Sequence, residues 1–179
     1  MNNKILVTYS SRTGWTVGVA EAIGKTLAEN GVQADVIPMK DVKDLSTYDA
    51  VVAGSAIRSK AWLPEAVQFV HTHRDELKAK PFATFLVCMT LAMPNGENYR
   101  SHISTWLDPM YMLVKPISAG LFAGGLEISR VENFSKRLMF KLSVLFGVWK
   151  EGDHRDWNAI NEWALQLKSL LLKQSSLLL

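Results

Sequence analysis

Cysteine is nearly missing from this chain, with a single copy, Cys88, in 179 residues, set inside the apolar run "FATFLVCM". A lone thiol excludes an internal disulfide and a thiolate metal cluster, and a reducing cytosol is the expected compartment. Long apolar runs are missing as well: no stretch reaches the roughly 18 apolar residues a spanning helix needs. The start, "MNNKILVTYSS", has only a short apolar run before a polar loop, which predicts neither a signal peptide nor a membrane span. The motifs GxxxxGK[ST] and GxGxxG do not occur, so neither a phosphate-loop lysine nor a dinucleotide fingerprint is present. Metal-ligand patterns fail too. His71 and His73 stand two apart on a predicted helix and face different ways, and His102 and His154 have no ligand spacing around them.

Acidic residues are absent from two stretches, one between Asp49 and Glu65 and one between Glu132 and Glu151. Over the whole chain the formal charge is +3 and the pI about 9.0. That mild excess points to anionic ligands or an anionic membrane surface, while nucleic acid normally requires a denser basic patch. A hydrophobic content of 48% with 21% charged residues is globular, and 179 residues fit one domain with a substantial core.

Along the chain, strand and helix patterns alternate. "KILVTY" is β-branched without polar alternation, as for a strand buried on both faces, and Val19, Ala20, Ile23 and Leu27 then recur at helical steps until Gly31. "VQADVIPM", "AVVAGSA", "FATFLVCM" and "KPISAGLFAGG" read as four further strands, with helical patterns over 63–77, 99–114 and 157–172. This alternation predicts an α/β, doubly wound, five-stranded parallel sheet. Right-handed crossovers bring the loops that follow strands to one edge, so 10–16, 55–62 and 89–97 are expected to converge on one crevice. The end of the chain, "SLLLKQSSLLL", is either a packed helix end or a frayed terminus.

"YSSRTGWT" lies between the first strand and the first helix. A helix N-terminus offers unpaired N–H groups and partial positive charge. Ser10, Ser11, Thr13 and Thr16 add hydroxyl donors there, Gly14 permits close approach, and Arg12 brings a positive charge. Such a loop suits one terminal phosphate. An ordinary strand-to-helix turn with Thr16 as N-cap is the alternative.

"SRTGWT" resembles the flavodoxin phosphate loop, T/S-x-T-G-x-T, with Ser11, Thr13, Gly14 and Thr16 on the matching positions. "GSAIRSKAWLPEAVQFV", "FLVCMTLA", "GLFAGGLEISR" and "EGDHRDWNAI" extend the resemblance over nearly the whole chain, toward the flavodoxin-like branch of menaquinone-dependent protoporphyrinogen oxidases. The resemblance implies strand order 2-1-3-4-5 and FMN as cofactor. It implies phosphate contacts from Ser10, Ser11, Arg12, Thr13, Gly14, Trp15 and Thr16, and a ring between Ala56, Ile57, Arg58 and Ser59 on one side and Met89, Thr90, Leu91 and Ala92 on the other. Where electron-shuttling flavodoxins commonly flank the ring with an aromatic, this chain has Ile57 and Arg58, with Trp62 four residues on.

Reduced FMN is anionic at neutral pH, so a nearby cation favours it. Arg58 and Lys60, in a stretch without acids, are expected to raise the reduction potential and suit a quinone-linked oxidase. A solvated loop surface is the alternative.

After the fifth strand an extra segment, 126–152, precedes the last helix. Within it Phe134, Leu138, Leu142, Leu145 and Trp149 are expected on one helical stripe, with Lys136 and Lys150 opposite and Arg137 and Lys141 on the flank. Such a basic amphipathic helix could lie in a membrane interface, or pack on the sheet edge or a second copy of the chain. The combined expectation is one cytoplasmic domain, 1–179, peripheral to the inner face of a membrane where that helix meets lipid. It would be an FMN-dependent oxidoreductase taking hydride from protoporphyrinogen IX or a similar reduced substrate and passing electrons to a quinone. No side chain is assigned as acid or base. Arg58, Lys60, Trp62, Arg130, Arg137 and Lys141 are the expected substrate or membrane contacts. The alternatives are an electron carrier docking a protein redox partner and a flavin-free membrane-surface protein.

Overall fold

Apolar runs without alternation need cover on both faces, and the sheet supplies it. In the computed structural model, which describes residues 4–131 and 133–177, strand β1 (Lys4–Ser10) sends Ile5 and Val7 into one apolar layer and Leu6 into the other. Strands β2 (Gln33–Pro38), β3 (Ala50–Arg58), β5 (Phe82–Cys88) and β6 (Ser118–Ala123) join it in the parallel order β2-β1-β3-β5-β6. Counted among parallel strands alone this is 2-1-3-4-5, as expected. Two small additions were not expected. Strand β4 (Ala61–Trp62) folds back antiparallel on the end of β3, and β7 (Gly125–Leu126) pairs with β8 (Gly152–Asp153).

Helices α1 (Trp15–Glu29) and α7 (Trp157–Leu177) cover one face, where Val19, Ile23, Leu27, Ile160 and Leu167 meet Phe85. On the other face lie α2 (Pro64–Thr72), α3 (Arg74–Lys78), α4 (Arg100–Ser104) and α5 (Asp108–Leu113), which bury Phe69, Leu77, Ile103 and Met110. The helix expected over 99–114 is broken into α4, a 3-10 turn at Thr105–Leu107, and α5. Ser104 and Thr105 bond back to the carbonyls of Ser101 and His102, and Pro109 lies in the first turn of α5. The pattern over 63–77 bends at His73, whose ring packs on Phe69. The last helix outruns its expected end and reaches Leu177, while residues 178 and 179 of the apolar tail lie outside the described residues.

Helix α6 (Phe134–Leu145) is shorter than the expected stripe. Gly147, at φ 71, closes it: Gly147 N–H donates to the Val144 carbonyl at 3.0 Å and Val148 N–H to the Ser143 carbonyl at 2.9 Å. Trp149 is therefore off the helix, a correction to the sequence pattern. The four stripe residues that remain face away from the body: Phe134 is 79% exposed, Leu138 50%, Leu142 47% and Leu145 77%. Among the described residues that stripe is left largely uncovered.

Candidate functional site: a cleft at the carboxyl ends of the strands

The ends of β1, β3, β5 and β6 open onto one cavity of about 630 Å³. Its walls include Thr13, Trp15 and Thr16 from the first loop, Ala56 to Lys60 from the second, and Met89, Thr90 and Met93 from the third. Gly124 to Glu127, Phe140 and Trp149 close the remaining side. That fourth wall was missed, although the rule that gathers loops at one sheet edge applies equally to the loop after the last parallel strand. Tyr99, His102 and Trp106, which also line the cavity, were missed because the helix expected there is broken into short pieces.

At the first loop, Gly14 takes a left-handed conformation at φ 87 and serves as N-cap without a side-chain bond. Thr16 is thus inside the first turn and not the cap that the ordinary-turn alternative required. Its hydroxyl is buried, with the residue 1% exposed, and has no hydrogen-bond partner. The first turn of α1 also carries N–H groups with no helical acceptor. A phosphate meets both demands, so these residues fit a phosphate-bearing cofactor.

Neighbouring positions do other work. Ser10 Oγ donates to Glu65 Oε1 at 2.8 Å, and Ser11 Oγ accepts from Gly14 N–H at 3.1 Å. Arg12 forks on Glu65, pairing Nη1 with Oε1 and Nη2 with Oε2, the latter at 2.9 Å. Arg12, expected to bring positive charge to a phosphate, is engaged by this pair. Burial alone would raise the Glu65 carboxyl, yet its own backbone N–H, the Ser10 hydroxyl and Arg12 together hold it below the usual carboxylate range.

Two arginines from far along the chain reach the loop instead. Arg130 donates to the Thr13 carbonyl at 3.2 Å, and Arg155 to the Trp15 carbonyl at 3.2 Å. Their guanidinium carbons lie 5.4 and 4.8 Å from the Trp15 ring. Trp15 also leans on Gly125, where a Cβ would stand 2.6 Å from ring atoms, so only glycine allows the contact.

The second loop is a tight hairpin in which Ser59 and Lys60 have φ 51 and 62, a conformation glycine or asparagine adopts more readily. It carries Arg58 and Lys60 into the cavity wall. Trp62 pairs across from Ile57 but is 4% exposed and belongs to the core, so it is no substrate contact. Leu91 likewise packs on the core, and Ala92 does not line the cavity. The second loop lacks acids, but the opposite wall does not, since Glu127 lines the same cavity. Cys88 is there as well; burial pushes its thiol up.

Arg137 and Lys141 line a separate cavity of about 530 Å³ between α6 and the turn Ile128–Arg130. Arg137 is occupied by the chain itself, donating to the carbonyls of Ser129 and Val131 at 3.4 and 2.9 Å.

The flavodoxin domain family matches residues 6–148. The chain belongs to that family. Relatives include the protoporphyrinogen IX dehydrogenase [quinone] of Leishmania major, 30% identical over 176 residues that span 94% of this chain and 76% of the relative. The protein of that name from Escherichia coli K12 is 26% identical over 174 residues, covering 93% of this chain and 96% of the other. Oxidised flavodoxin 2 from Bacillus cereus shares the fold with a TM-score of 0.59 at 17% identity, covering 93% of this chain and 98% of that one. As a flavodoxin-domain protein the chain binds FMN and is a flavin-dependent oxidoreductase. Among the described residues no helix is long and apolar enough to cross a membrane, and no cluster of ligating side chains suits a metal ion.

Proposed function

We propose that the chain oxidises a large, planar, reduced substrate of the protoporphyrinogen type and delivers the electrons to a quinone. The observation that carries this is the fourth wall: Phe140 and Trp149, from the segment after β6, share one cavity with the two loops expected to flank the flavin ring. The cleft thereby gains a fourth wall that carries aromatic side chains, and Tyr99, His102 and Trp106 also line it. That suits a flat organic substrate better than the docking surface of a protein partner. The names of the relatives support the same substrate and acceptor.

Bound FMN would supply the hydride-accepting ring. Thr13, Trp15 and Thr16 would hold its phosphate end, with the first-turn N–H groups of α1. Ile57 and Met89 would border the ring. Arg58 and Lys60 would meet substrate carboxylates and favour added negative charge in the cavity. The exposed face of α6, with Lys136 and Lys141 beside it, would lie on an anionic membrane surface where an apolar quinone is available.

The test is anaerobic oxidation of protoporphyrinogen IX by the purified chain, read as porphyrin fluorescence with and without a menaquinone analogue. A quinone-dependent rise is expected. No rise, together with rapid electron delivery to a redox protein, would make the chain a carrier. A preparation that stays colourless after FMN addition would point to the flavin-free alternative.

A further inference from the structure

The first two-electron oxidation of a porphyrinogen-type ring breaks one methylene C–H bond and one pyrrole N–H bond, and the pair left by the N–H bond stays in the ring as the new double bond. The hydride carries its electron pair to the bound flavin. The pyrrole proton carries none, and it calls for a base with a free lone pair in the cleft. A quinone then gains the two electrons and two protons that the substrate has lost, so a base that holds one proton between the two events is returned unchanged.

Most titratable side chains on the cavity wall do not suit that task. Arg58 and Lys60 are cations with no lone pair to offer. Cys88 presents a thiol that burial pushes up and keeps protonated, and Tyr99 a phenol whose O–H donates. Glu127 has both oxygens engaged, Oε2 with Arg130 Nε at 2.6 Å and Oε1 as acceptor from the Ser129 hydroxyl at 2.8 Å. His102 differs. It lines the same cavity, it is exposed, and its ring nitrogens have no hydrogen-bond partner among the described residues. A neutral imidazole keeps one ring nitrogen as an acceptor.

The fold fixes where that imidazole stands. Ile103, the next residue of α4, is fully buried, and Arg100 ties the start of the helix to β6 by donating to the Leu121 carbonyl at 3.2 Å. The His102 ring lies edge-on to Trp106, with centroids 5.8 Å apart and planes at 82°, and Trp106 in turn packs on the core. We propose that a ring nitrogen of His102 accepts the pyrrole proton, an assignment that rests on a porphyrinogen-type substrate and supplies the base that no sequence pattern offered.

The experiment uses the full chain with FMN bound. His102→Asn is expected to lower kcat for protoporphyrinogen IX about 100-fold while KM stays within about twofold, with FMN affinity and the flavin absorbance spectrum as in the parent. Imidazole added to the buffer is expected to restore part of the lost kcat in His102→Ala, and His71→Asn, outside the cavity, behaves as the parent. An unchanged kcat in His102→Asn means that water takes the proton and overturns the proposal, as does a matching loss of FMN affinity or an absence of imidazole rescue. If circular dichroism shows that His102→Asn is unfolded, His102→Gln carries the kinetic test. A parent chain that leaves porphyrinogen unoxidised removes the substrate reading, and the proposal falls with it; an active parent confines any failure to His102. Contact is read without turnover, by magnetic resonance of the chain carrying isotope-labelled histidine. The product protoporphyrin IX is expected to shift the ring signals of His102 through its ring current and leave those of His71 and His73 in place. Unmoved His102 signals overturn the proposal.

Discussion

At the scale of the residue, the Thr16 hydroxyl is a cost to the chain by itself and a gain once an anion arrives. Thr16→Val keeps the shape and removes a buried donor that has no partner. The flavin-free protein should gain about 1 kcal/mol of stability, and FMN affinity should fall about tenfold. Thermal unfolding and flavin titration of one variant check both, and a loss in both would make the hydroxyl merely structural. Glu65 makes a different demand. A carboxyl held low in the folded chain adds stability above its unfolded pKa of about 4.3 and loses that stability as pH falls through the folded value. Unfolding free energies at pH 7 and pH 3 should differ less for Glu65→Gln than for the parent, by about 1 kcal/mol at most because the pair is part-exposed. Equal losses would show that Arg12 and Ser10 gain nothing from the charge.

At the scale of the element, α6 keeps one apolar side largely uncovered among the described residues. A helix with Phe134, Leu138, Leu142 and Leu145 exposed on one side is costly in water unless something covers it. Lys136→Glu with Lys150→Glu changes the charge at two exposed positions without touching the core. The parent should sediment with anionic vesicles at low salt and release as salt is raised, and the double variant should remain in solution with its flavin colour intact. Failure of the parent to bind such vesicles would leave a second copy of the chain as the cover for that face, visible as a dimer in sedimentation. The boundary of α6 was legible in Gly147, a stop signal that the apolar periodicity through Trp149 overrode. Once the Gly147 turn ends the helix, Trp149 moves from the outer stripe to the cavity wall.

At the scale of the whole molecule, the charge distribution sets the electrical environment of the cavity. Arg58 and Lys60 stand on one wall and Glu127, paired with Arg130, on the other. The cavity is therefore polarised across its width and not uniformly basic. Arg58→Glu with Lys60→Glu should make bound flavin harder to reduce, read by spectroelectrochemical titration. A shift within measurement error would mean that both side chains act on solvent alone, and a shift toward easier reduction would reverse the sign of the field. Lys60 carries a second effect, because its left-handed backbone favours glycine. A Lys60→Gly control, which removes the charge and relaxes the turn, separates field from conformation.

The alternation of buried runs and helical periods determined the sheet, its order and the convergence of its loops, because burial on two faces writes itself into neighbouring residues. Thr13, Gly14 and Thr16 were legible for the same reason, lying together in one turn. Tertiary structure alone decided which partners engage the arginines at that turn. Arg12 is matched by a carboxylate 53 positions away, and Arg130 arrives from 117 positions away. It also decided that Trp62 is core while Trp149 walls the cleft. Charge pairing and the direction of an isolated aromatic depend on what the fold brings alongside, and no local period encodes that.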